Sequence, residues 1–306
     1  MACRLHVTEH ASLEIAACSS SGALCGVSVA GSGNSLRAID CTIAGSLTAG
    51  VHVLDGGKAS LISCEVSNTR EAPRLLITDT GSFVDAAECT LTGEWLLLRV
   101  LPLCGLEASG AVRVVMMQSA VERSHAGDGI KLPQGATLLA GECLVSGNAL
   151  VGMQASDCSQ CVLEGCTIAD NTLHGALART GSSVHFFECT VCGNAEGQIV
   201  VRAGAHTSLE RYSADEQPRS IIAQGLSTEV FLLECQVEGA QALYGHCQAD
   251  CAGDCCGALP GRLAAAADAA NVGFCGWQTV RNYIISQAGK GGLRARLANA
   301  FNIESL

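Results

Sequence analysis

Aromatic residues make up only 4% of this 306-residue chain, with 2 Trp, 3 Tyr and 6 Phe, and proline occurs 5 times. A compact domain of this length ordinarily fills its centre with more large rings, so a wide core built on aromatics is excluded. Basic charge is scarce too: 18 Lys and Arg stand against 29 Asp and Glu, for a net charge of −11. Phosphate backbones require a basic face, so nucleic acid is not the expected partner. No apolar run approaches the ~18 residues needed to cross a bilayer, so no membrane span is expected. Nor do the opening residues Met1-Ala2-Cys3-Arg4-Leu5-His6 lead into the apolar run of a secretory leader.

Glycine (35) and cysteine (19) are abundant instead, and the cysteines are periodic. Cys18, Cys41, Cys64, Cys89, Cys143, Cys166, Cys189 and Cys235 are separated by 23, 23, 25, 54, 23, 23 and 46 residues. Ser119 divides the step of 54 into 30 and 24, and Tyr212 halves the step of 46, which gives ten copies. A fixed period of this size marks a solenoid, in which one unit buries its apolar face only by stacking on the next.

Aligned on the cysteine, each copy reads apolar, any, apolar, any, any, Cys, any, apolar: Leu36, Ala38, Cys41, Ile43, then Leu138, Ala140, Cys143, Val145, then Val184, Phe186, Cys189, Val191. A turn signal follows (Gly147-Asn148, Asp170-Asn171, Gly193-Asn194), and then a third alternation such as Ile130 and Leu132 or Ala176 and Ala178. Three short strands per copy, bent at Gly and Asn and too short for a crossover helix, predict one coil of a parallel β-helix. Ten coils at strand spacing make a rod of about 48 Å.

The Cys-Thr-Ile and Gly-Asn signatures (Asp40-Cys41-Thr42-Ile43, Gly165-Cys166-Thr167-Ile168, Glu188 to Asn194) resemble the right-handed parallel β-helix repeats of the pectate-lyase-like superfamily. They are closest to the intracellular, cysteine-laddered versions found in F-box and Shc-binding proteins. The resemblance covers about 235 residues and implies the fold. It does not imply an activity, because this scaffold carries lyases, hydrolases and plain interaction modules alike.

The expected organisation is all-β: a right-handed parallel β-helix of about ten 23-residue coils over 1–245, a Cys-rich linker over 246–258 and a small α-helical extension over 259–306. Residues Arg4 to Thr8 already match the third strand of a coil, so the N-terminal edge reads as open, which is expected of a fragment of a larger protein, of an incomplete gene model or of an edge used in assembly. An odd number of cysteines and an inward ladder position favour buried reduced thiols over disulfides, which places the chain in an intracellular, reducing compartment.

Enzymes on this scaffold work with clustered carboxylates. The outward residues of the third strand read Ser28, His52, Leu76, Lys131, Gln154, Leu177, Val200 and Ile222, with no carboxylate among them. Asp128 in His125-Ala126-Gly127-Asp128-Gly129 is the one pairing of acid and histidine at a plausible turn, and is read as a loop residue with a catalytic role as the alternative. The Thr column (Thr42, Thr90, Thr167, Thr190) is single and interrupted, unlike an ice-binding face. Acidic residues before the ladder position (Asp40, Glu88, Glu142, Glu188, Glu234) form a ridge, read as a solvated edge that keeps the rod soluble and discourages lateral sheet pairing, with a site for a basic partner as the alternative. The apolar strip Leu177, Val200 and Ile222 is the candidate contact surface, to be covered by the C-terminal helices or by a protein partner. Cys247, Cys251, Cys255 and Cys256 are a weak metal candidate, and no cofactor is expected. The function expected is a non-catalytic interaction or structural scaffold; the alternative is a polysaccharide lyase or glycoside hydrolase of the same fold.

Overall fold

A computed structural model describes residues 5–69, 73–93, 104–214, 221–233, 235–237, 241–244 and 247–252, and every element among them is a β-strand. The strands form three parallel sheets: A and B of 11 strands and C of 10. One coil runs Met153–Ala155 in sheet A, Gln160–Glu164 in B and Thr167–Ala169 in C. Each strand pairs with its equivalent one coil on, so that Leu138, Cys161 and Val184 fall in one register. The ten strands of sheet C are the ten copies counted from the ladder.

Period-2 alternation sends one set of side chains inward, where Cys161, Leu163, Cys166 and Ile168 are all at most 1% exposed within one continuous core. The bend from B to C is made by the residue just before the ladder position, which adopts a left-handed backbone: Asp40 at φ 51°, Glu88 at 56°, Glu142 at 52° and Glu188 at 52°. That conformation costs an ordinary side chain about 1 kcal/mol, and each copy offsets it with an inter-coil bond such as Glu142 N to Glu164 O at 2.8 Å.

The corner from C to A is narrower. A Cβ added at Gly152 would lie 2.6 Å from the Gly175 carbonyl and 2.7 Å from the Asn171 amide nitrogen, so the position before the sheet A strand is glycine in most coils. Beside it runs a buried polar chain. Ser124 N donates to Asn148 Oδ1 (3.0 Å), Asn148 Nδ2 to Asn171 Oδ1 (2.9 Å), and Asn171 Nδ2 to Asn194 Oδ1 (2.8 Å). Two residues that break the glycine column sit at its ends: Gln198 accepts from Asn194 Nδ2 at 2.5 Å, and Arg74 Nη1 donates to Ser124 Oγ at 3.0 Å.

The last strand of sheet B, Cys247–Ala252, pairs with Thr228–Leu233, so the backbone ladder runs into the segment read from sequence as a linker. The helices expected over 259–306 lie outside the described residues, as does Glu234 of the acidic ridge.

Candidate functional site

The outward column of sheet A, in register, is Ser28, His52, Leu76, Glu107, Lys131, Gln154, Leu177, Val200 and Ile222. This corrects the sequence reading, which passed over Glu107. The step of 30 between Cys89 and Ser119 hides the strand Leu106–Ala108, and once the insertion is allowed for, a carboxylate stands directly below Lys131.

Glu107 and Lys131 are paired at 3.2 Å, each partly shielded. Burial works against the lysine's charge, but the carboxylate at this distance outweighs it and its pKa is raised. At the adjoining C-to-A corner Asp128 is 6% exposed and accepts a hydrogen bond from Val151 N at 3.1 Å. Burial pushes its carboxyl above the usual range, although the Val151 bond, Lys131 and Arg179 act in the opposite direction. Burial, with Asp128 and Glu107 adding to it, raises the Cys104 thiol to about 12. Arg74 closes the corner: it is 2% exposed and donates to the carbonyls of Thr92 (2.6 Å), Arg123 (3.4 Å) and Cys104 (3.5 Å), and burial lowers its pKa to about 10. It therefore stays a cation at neutral pH, held by backbone dipoles. Chemically the corner offers one buried carboxyl, Asp128, whose pKa burial raises, beside a carboxylate already committed to a lysine.

The other candidate lies further along the same column. Leu177, Val200 and Ile222 do stack, and with Val151 they form a second apolar cluster against which Leu173 packs. The strip, by its apolar and outward pattern in the sequence, predicts a cover. The structure places it out of solvent, with Leu177 9% exposed, Val200 0% and Ile222 5% within the single chain. Sheet B has a similar outward run that the sequence reading did not name: Val115 (1%), Leu139 (1%) and Val162 (8%), followed in register by His185, whose pKa burial lowers to about 4. Its signal was available as a second outward column of aliphatics. Among the described residues the large exposed hydrophobics are Leu144 and Leu226.

Of the weak metal candidate, positions 247 and 251 fall four apart on the last strand of sheet B, while Cys255 and Cys256 lie outside the described residues. Among the described residues no group of three or more His, Cys, Asp or Glu is placed to hold a metal ion.

Sheets that are parallel throughout, coils that repeat in register and a single narrow core define a β-solenoid of the parallel β-helix class. The family model of the right handed beta helix region matches residues 25–212, more than half of the chain, and the chain belongs to that family. No curated protein matches it.

Proposed function

We propose that the chain is a non-catalytic protein-interaction or structural scaffold. The observation that carries this reading is the outer face of sheet A, where four successive coils present Gln154, Leu177, Val200 and Ile222, all at most 9% exposed. A polysaccharide groove needs an open polar face there, and an apolar face withdrawn from water serves packing between protein surfaces. The charged residues support the same reading. Glu14 with Arg37 (3.0 Å), Glu107 with Lys131 (3.2 Å) and Glu229 with His206 (3.0 Å) are pairs between adjacent coils, in which the carboxylates serve as rungs between turns. The strip Leu177, Val200 and Ile222, already out of solvent within the single chain, is proposed as a contact surface inside this protein rather than one open to a partner, and the free thiols of the ladder suit a reducing compartment.

A second reading, a carbohydrate-active enzyme, is favoured by one observation: Glu107 lies 3.2 Å from Lys131, and a second carboxyl, Asp128, is buried at the adjoining corner. The test is to incubate the full chain with pectate, alginate, glucan and chitin beside Glu107→Gln and Asp128→Asn variants. The scaffold reading expects no new reducing ends and no unsaturated products from any of them, with a stoichiometric protein complex recovered on the tagged chain from its native cell. Cleavage by the parent that drops with either substitution overturns it.

A further inference from the structure

The thiol ladder has one end that reaches solvent. Cys18 is exposed, Cys41 directly above it is 2% exposed, and Cys64 and Cys89 continue the column inside the core. Cys18 and Cys41 occupy equivalent positions in adjacent coils, since Ser19 pairs with Thr42 and Thr42 N donates to Cys18 O at 2.9 Å. Their thiols also point alike: Cys18 Sγ donates to Ala16 O and Cys41 Sγ to Ile39 O, both two residues back and both at 3.2 Å. We propose that this pair is a two-coordinate site for a soft monovalent cation of the Cu(I) type, bridged along the solenoid axis.

Spacing and chemistry both favour a cation over a covalent bond. Stacked coils repeat at ~4.8 Å, whereas a disulfide draws its Cβ atoms to ~3.8 Å and turns the side chains toward each other. Two thiolate bonds to a d10 ion of ~2.3 Å each, taken from zinc, place sulfurs ~4.6 Å apart in line, close to the repeat and with both rotamers kept. Two sulfur donors select a soft ion, while hard cations prefer oxygen. Binding releases one proton from each thiol and leaves an anionic S–Cu–S unit. Because each thiol must lose its proton to ligate, affinity should rise with pH. The other ladder, Cys143, Cys166 and Cys189, is at most 3% exposed and offers no such entrance.

The test uses the reduced full chain, titrated anaerobically with Cu(I) against a chromogenic Cu(I) chelator, with alkylation of Cys18 followed by peptide mass mapping. The expected result is at least a tenfold slowing of Cys18 alkylation by Cu(I) in the parent. Cys41→Ser should lose this protection, Cys158→Ser should keep it, and Cys18→Ser should hold one equivalent of Cu(I) fewer. Because Cys18 is exposed, that last variant reports even if Cys41→Ser does not fold. Absence of protection in the parent, equal protection in Cys41→Ser, an unchanged equivalent count in Cys18→Ser, or a Cys18–Cys41 disulfide formed in place of the complex each overturns the proposal.

Discussion

A ladder thiol finds its acceptors in the backbone. Cys166 Sγ lies 3.5 Å from Glu164 O in its own coil and 3.5 Å from Ala140 O in the coil below, and Cys189 repeats the pattern at 3.3 and 3.4 Å. Ser119 shows that a hydroxyl fits the same geometry, donating to Met117 O at 2.8 Å. Cys166→Ser should therefore cost only about 1 kcal/mol, whereas Cys166→Leu overpacks a narrow coil and should cost about 1 to 3 kcal/mol; urea unfolding of both variants distinguishes the effects. In the native state Cys18 and Cys158 should react rapidly with a thiol reagent, and Cys64, Cys143 and Cys189 only on unfolding. Asp128 allows a test by pH. Its folded pKa is raised, so its favourable contribution is complete below the unfolded carboxyl range near ~3.9 and is lost as pH rises through the folded value. Asp128→Asn keeps the acceptor for Val151 N and cannot ionise. Its melting temperature should exceed the parent's at neutral pH, with the margin shrinking in acid; a margin independent of pH would contradict the burial account.

At the scale of elements, the sheet B to sheet C segments were legible because the inward Cys and its flanking alternation recur at one spacing, as in Leu36, Ala38, Cys41 and Ile43. The C-to-A corner was legible only as a turn signal. Asn148, Asn171 and Asn194 were seen as places where the chain bends, yet each is at most 1% exposed and the three form one hydrogen-bonded column. A bend and a buried amide use the same residue type, so one copy read alone cannot separate them; Arg74 and Gln198 mark the column's ends only once the coils are stacked. Glu107 was missed for a related reason: the insertion between Cys89 and Ser119 breaks the counting on which outward positions were assigned. The column should be costly to interrupt. Asn171→Leu removes the acceptor for Asn148 N (3.0 Å) and Asn148 Nδ2 (2.9 Å) and the donor to Asn194. At about 1 to 3 kcal/mol per buried group left unsatisfied, the variant should lose most of the protection of neighbouring amides in hydrogen exchange, while Leu226→Ala, at an exposed side chain, should leave that protection unchanged.

For the whole molecule, a solenoid's stability is close to a sum over coils and their interfaces, so the strength of each region depends on what its coils bury. Inside, the described coils from Leu36 onward bury much the same set. Outside they differ: Arg37 and Ser60 on sheet B are exposed or half-exposed, whereas Val115 and Leu139 are as buried as core residues. From sequence the strip Leu177, Val200 and Ile222 could be seen as apolar and outward, but its burial could not, because a period fixes which way a side chain points and not what lies beyond it. If the outer cluster acts as a second core, its residues should respond to truncation as core residues do. Leu177→Ala should then cost about 2 to 4 kcal/mol and Ile222→Val about 1 kcal/mol, against less than about 0.5 kcal/mol for the same changes on open surface. Leu226→Ala, at a side chain 69% exposed, provides the surface reference within the same molecule. Near-equal costs at Leu177 and Leu226 in denaturant unfolding would mean that the outer face contributes nothing to the fold, and the scaffold reading would lose the observation on which it rests.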